Sequence, residues 1–153
     1  MRIRIAVLDS EQSWTAQPSS PATHLVHIDA AALGTPEGLF DAMAAALDFP
    51  GYFGRNWDAL YECFSDYFVV EHGGLGSEFG GRAGVAADAV RIVLGRAGAL
   101  VRNGSSMAAD IITLLSYTRE ANSDRAAVDL AVEFLVDDPV ERAALEAVVA
   151  ASS

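Results

Sequence analysis

The stretch Tyr52-Phe53-Gly54-Arg55-Asn56-Trp57-Asp58-Ala59-Leu60-Tyr61-Glu62-Cys63-Phe64-Ser65-Asp66-Tyr67 reads as a tight turn opening a short helix. Asn56 suits the N-cap, where a side-chain oxygen accepts an otherwise orphaned N–H of the first turn. Gly54 suits the turn just before it. Trp57, Leu60, Tyr61, Phe64 and Phe68 keep the three-and-four spacing of a buried face. Asp58, Glu62, Ser65 and Asp66 gather on another side of the wheel. Residues four apart are neighbours on a helix, so Asp58, Glu62 and Asp66 form a like-charged stripe. That stripe costs the helix roughly 0.2–0.5 kcal/mol per pair unless a basic group compensates.

Before this helix, Thr35-Pro36 is a start signal: a capping hydroxyl with proline at the first helical position. Glu37 favours the dipole of the first turn, Leu39, Phe40, Met43 and Leu47 share one face, and Pro50-Gly51 ends the segment. Leu25–Ile28 is an apolar run short enough for a buried strand, and Arg2–Leu8 alternates as a half-exposed strand does. Between them, Ser10–Ala22 is polar and proline-bearing, a loop.

After the helix, Glu71–Ala87 is rich in glycine and reads as a loop or insertion. Val90–Leu94 is a strand, and Arg96–Arg102 a short helix ending at Asn103-Gly104. Ser105 or Ser106 caps a longer helix with Met107, Ile111, Leu114, Leu115 and Thr118 inward. Leu130, Val132, Phe134 and Val136 alternate with Asp129, Ala131, Glu133 and Leu135, a further strand, and Asp138-Pro139 starts a last helix. The expected fold is α/β: a small three-stranded parallel sheet with helices mostly on one face, and Arg2–Leu8 as an extra edge strand or an arm. The expectation is a single domain over 1–153, with an N-terminal extension (1–22), an insertion (71–87) and a C-terminal helical tail (138–153).

The chain has 153 residues, 52% of them hydrophobic, and a formal net charge of -11 from 21 acidic against 10 basic residues. All ten basic residues are arginine. Such a field repels nucleic acid and speeds encounter with a basic partner. The one cysteine, Cys63, has no partner for an internal disulfide, which fits a reducing compartment. No signal-peptide run opens the chain and no segment approaches a membrane span, so the expected location is the cytoplasm.

Little of the chain suggests catalysis. Without lysine there is neither a Walker-type phosphate loop nor a Schiff-base nucleophile. The glycines of 73–84 do not match the dinucleotide fingerprint, so no cofactor is expected. His24 and His27, three apart in a strand, point to opposite faces and cannot share a metal. Acidic neighbours raise the Cys63 thiol and blunt it as a nucleophile. Asp58 and Glu62 are two carboxylates, but neighbouring turns of one exposed helix do not flank a substrate from two sides.

The run Tyr52-Phe53-Gly54-x-Asn56-x-Asp58-Ala59-Leu60-aromatic-acid-Cys63 resembles the signature of the barstar family, small intracellular inhibitors that plug a basic ribonuclease site with an acidic helix. The similarity covers Ile28 to about Tyr67 and is densest from Phe49. It implies a protein-binding role for Tyr52, Asn56, Asp58, Tyr61, Glu62, Ser65, Asp66 and Tyr67, with Glu120 as a further acidic contact from the later helix. Asp58 matches the family's first acidic contact, Glu62 its central aspartate, Tyr52 the aromatic over the partner's catalytic face, and Asn56 the asparagine opening the helix. Ser65 stands at a threonine position, and Tyr61 and Tyr67 at two aromatic ones. Two departures stand out. Glu62 is one methylene longer than aspartate, and Asp66 replaces a glycine.

The resemblance implies a non-enzymatic cytoplasmic inhibitor, monomeric when free, whose partner is a basic ribonuclease or ribonuclease-type toxin. The alternative is an interaction module of the same fold for a basic partner that is not a nuclease. An acidic helix face is also commonly just a solvated face. The flanking tyrosines and the rigid cap favour a binding role over that plain reading.

Overall fold

The computed structural model describes residues 1–9, 23–68, 89–124 and 128–151. The glycine-rich insertion and residues 10–22 of the N-terminal extension lie outside the described residues.

Four strands, β1 (Ile3–Leu8), β2 (Thr23–Asp29), β3 (Ala89–Gly95) and β4 (Asp129–Leu135), form one parallel sheet in the order β1-β4-β3-β2. The expected three-stranded sheet thus gains a fourth member. Of the two roles open to Arg2–Leu8, edge strand or arm, it takes the first, pairing in register from Ile3↔Leu130 to Leu8↔Leu135. Among the described residues four α-helices accompany the sheet: α1 (Pro36–Leu47), α2 (Trp57–Tyr67), α3 (Met107–Ala121) and α4 (Pro139–Ala151). The short helix expected at 96–102 is two 3-10 turns, Ala97–Leu100 and Arg102–Gly104.

Side chains in register in a parallel sheet share a face. Val26, Ile28, Ile92, Leu94, Val132 and Phe134 therefore make one apolar surface, flanked by Ile5 and Val7 on the edge. The buried sides of all four helices join this surface in a single core, through Leu39, Phe40, Met43 and Leu47 of α1, Leu60 and Phe64 of α2, Ile111, Leu114 and Leu115 of α3, and Leu145 of α4. The helices lie on one face because each has one apolar stripe to bury.

On the opposite face, Arg91 of β3 and Glu133 of β4 are both buried and face each other as a two-pronged ion pair. Arg91 Nη2 donates to Glu133 Oε1 at 2.9 Å, and Nε donates to Oε2. Leu25 and His27 of β2 share this face and are exposed. His24 lies on the core face, as the alternation requires.

The last helix is anchored by charge and close fit. Asp138 Oδ1 caps α4, accepting from the backbone N–H groups of Val140 at 2.8 Å and Glu141 at 3.0 Å. Glu141 takes Arg102 in a bidentate pair at 2.6 and 3.0 Å. A Cβ on Gly98 would sit 2.5 Å from the Glu141 carboxylate, so glycine there lets the carboxylate lie against the backbone. Among the described residues, no helix is long and apolar enough to cross a membrane.

Candidate protein-binding surface

The turn entering α2 is built for rigidity. Phe53 N–H donates to the Pro50 carbonyl at 2.9 Å, closing a four-residue turn. Phe49 and Phe53 pack edge-on at 5.1 Å between centroids, while Tyr52 between them is left 72% exposed. Asn56 caps the helix as its sequence position suggests, accepting from Ala59 N–H at 2.9 Å. Its Nδ2 also donates back to the Gly54 carbonyl at 3.2 Å. That fold-back explains Gly54: a Cβ there would stand 3.1 Å from Asn56 Nδ2. The left-handed residue of the turn is Arg55 (φ 51°), whose guanidinium pairs with Asp41 of α1 at 2.7 Å.

From this start, α2 presents Asp58 and Glu62 to solvent, one turn apart, and among the described residues neither takes part in an ion pair. Asp58 in the first turn gains from the helix dipole, roughly 0.3–1 kcal/mol. Glu62 in the middle gains nothing from it, and no basic residue follows in the last turn. Asp66, next along the stripe, is half-buried. Burial pushes the Cys63 thiol above its ordinary value, and the charges of Asp66 and Glu62 add to the effect. Cys63 is a buried packing residue.

Two of the expected contact residues are corrected. Ser65 is only 6% exposed and Tyr67 is fully buried. Ser65 points in nearly the same direction on the wheel as Asp58 and Glu62, but α3 crosses α2 at that point and covers it. Ser65 Oγ meets Thr118 Oγ1 at 3.5 Å, and Asn122 Nδ2 donates to the Ser65 carbonyl at 3.3 Å. Tyr67 lies on the inner side, its hydroxyl 2.7 Å from His24 Nδ1 on β2. Both residues are turned into the fold and pack α2 against its neighbours. The acidic surface is therefore confined to the first two turns and the edge at Asp66.

Tyr61 is half-buried, and burial, helped by the charge of Asp110, raises its hydroxyl pKa. Its ring packs at 4.9 Å from that of Tyr117 on α3, and Tyr117 is 45% exposed. A chain of touching rings runs from α1 to α3: Phe40 to Trp57 at 5.3 Å, Trp57 to Tyr61 at 6.4 Å, then Tyr117. Tyr117 and Asp110 are absent from the residues expected at the surface. The signal for Tyr117 was present, since it falls off the inward spacing of Met107, Ile111, Leu114, Leu115 and Thr118. Glu120 is exposed near the end of α3.

The helix thus carries two exposed carboxylates, a rigid capped start and an exposed tyrosine beside it. The Barstar family model, described as Barstar (barnase inhibitor), matches residues 23–134. The chain belongs to the Barstar family. The matched span runs from the start of β2 almost to the end of β4 and includes α1, α2 and α3. The strand β1 and the helix α4 lie outside it and pack on one another. No curated protein and no solved structure matches the chain.

The face suits recognition of cations. Carboxylates on a rigid element form short charge-assisted bonds to guanidinium and ammonium groups. Among the described residues, no group of three His, Cys, Asp or Glu side chains stands ready to hold a metal ion.

Proposed function

We infer that this Barstar-family chain is a protein inhibitor that covers the basic active site of a ribonuclease or ribonuclease-type toxin with the N-terminal half of α2. The observation that carries this reading is the pair of exposed, unpaired carboxylates Asp58 and Glu62 on the family's signature helix, beside the exposed Tyr52. A ribonuclease gathers basic side chains to hold phosphate, and two carboxylates one turn apart replace that phosphate charge without offering a bond to cleave. The chain's acidity steers a basic partner toward the face. In this reading the protein is a monomer until it meets its target, works in the cytoplasm, and performs no catalysis. Asn56 acts through the cap, while Asp66 and Glu120 stand at the edges of the contact. The longer Glu62 favours a cognate enzyme other than the one in the family's name, because its carboxylate reaches further than an aspartate's.

The test is titration of the protein against a panel of small basic ribonucleases, following RNA cleavage at low and moderate salt. Stoichiometric inhibition that weakens with salt, and falls by about 2–5 kcal/mol of binding on Glu62→Ala, is the expected result. An unaltered Kd for Glu62→Ala in a complex that does form would move the contact elsewhere. A basic partner without nuclease activity that binds at this face, with no ribonuclease inhibited, would establish the interaction-module alternative.

A further inference from the structure

The acids of α2 do not make up the whole of this surface. Across the α2–α3 seam, the rings of Tyr61 and Tyr117 pack at 4.9 Å with Tyr117 45% exposed, one of the few large apolar side chains left in solvent. Neither hydroxyl makes a hydrogen bond among the described residues, so these rings are not held there by polar partners. Asp110 stands seven residues, two helical turns, before Tyr117 on the same side of α3. Among the described residues it carries no ion pair; Ser106 Oγ donates to its Oδ2 at 3.5 Å, and its charge helps raise the Tyr61 hydroxyl pKa. Tyr61 thus packs on Tyr117 of α3, with Asp110 two turns earlier on the same side of that helix and Glu62 next to it on α2.

Resting on the inhibitor reading above, we propose that the Tyr61–Tyr117 pair with Asp110 forms a second anchor that receives an arginine of the basic partner. The guanidinium would lie over the exposed Tyr117 ring while a carboxylate holds its N–H groups. Three properties fit an arginine better than a lysine. Its plane stacks on an aromatic face, its fork matches a carboxylate, and it is less strongly hydrated than an ammonium. Asp58, Glu62 and Glu120 are exposed on the same two helices, so the patch is complementary to the same partner that Asp58 and Glu62 would meet. A purely apolar partner would leave Asp110 desolvated without a counter-charge. The α3 residues would then set which basic protein is accepted, while α2 supplies the charge common to all of them.

The experiment uses the full chain and whichever small basic ribonuclease of the panel it inhibits. Tyr117→Ala is expected to weaken the complex about tenfold and Asp110→Asn by a comparable factor, whereas Tyr117→Phe, which keeps the ring, stays within about threefold. Thermal unfolding of each free variant separates lost contact from lost fold. Alanine substitution of the nuclease's surface arginines, combined with Tyr117→Ala, should reveal one arginine whose effect is not additive with the loss of the ring. If Glu62→Ala abolishes binding while Tyr117→Ala and Asp110→Asn leave it unchanged, the second anchor is wrong and the inhibitor reading stands. If no arginine couples to Tyr117, the arginine assignment is overturned. If the parent chain binds no ribonuclease, both readings fail together.

Discussion

The two faces of this molecule treat charge in opposite ways. On the sheet face opposite the core, Arg91 and Glu133 are buried together and satisfy each other with two hydrogen bonds. On α2, Asp58 and Glu62 stand exposed one turn apart, with no ion pair among the described residues. A buried charge must be paired because desolvation would otherwise cost several kcal/mol per ion. An exposed like-charged pair is only a small burden, and folding does not require it. The first pair is explained by the fold that contains it; the second is not, and the inhibitor reading proposed above supplies a basic partner as its explanation.

The strongest way to break this contrast is to strip the buried pair of one member. Glu133→Ala leaves Arg91 buried and alone and should cost about 3–5 kcal/mol in urea unfolding, while Arg91→Met with Glu133→Leu should recover most of it. A loss under about 1 kcal/mol for Glu133→Ala would mean the pair is solvated and the contrast overstated. Next in size is the cap. Asn56→Ala removes the bond to Ala59 N–H and should cost about 1 kcal/mol of stability, and should also weaken partner binding by loosening the start of α2. A stability loss with unchanged affinity would show that the rigid start does not matter for recognition. The smallest effect is the most telling. Glu62→Ala relieves repulsion from Asp58 and Asp66, so the free protein should gain roughly 0.2–0.5 kcal/mol per pair or stay unchanged. A clear loss of stability would make Glu62 a structural residue and remove it from the binding face.

What was legible in the sequence was mostly local. Thr35 and Asn56 announce their helices because a cap is a contact between residues three apart, and both caps form. The alternation in Asp129–Leu135 fixes which side chains face the core. It does not show that Glu133, on the other face, is buried, because Arg91 comes from a strand 42 residues away. Ser65 and Tyr67 were misplaced for the same reason. A family resemblance transfers positions along a helix, whereas the residues that cover them here, Thr118 and Asn122 on α3 and His24 on β2, are distant in sequence. Tyr117 belongs to the surface only through its ring contact with Tyr61, 56 residues earlier, which no local pattern shows. Arg2–Leu8 advertises a strand but not its partner, which lies at the other end of the chain.

That last pairing has a kinetic consequence. β4, an interior strand with neighbours on both sides, is the last strand in chain order, and Arg2 reaches Asp129 across a separation of 127 residues. A ribosome making this chain releases β1 long before the strand it pairs with, so two sheet edges stay open until β4 arrives between them. Closing so long a loop lowers the folding rate more than it lowers stability. The sheet is therefore completed from its middle, and only once β4 has been made.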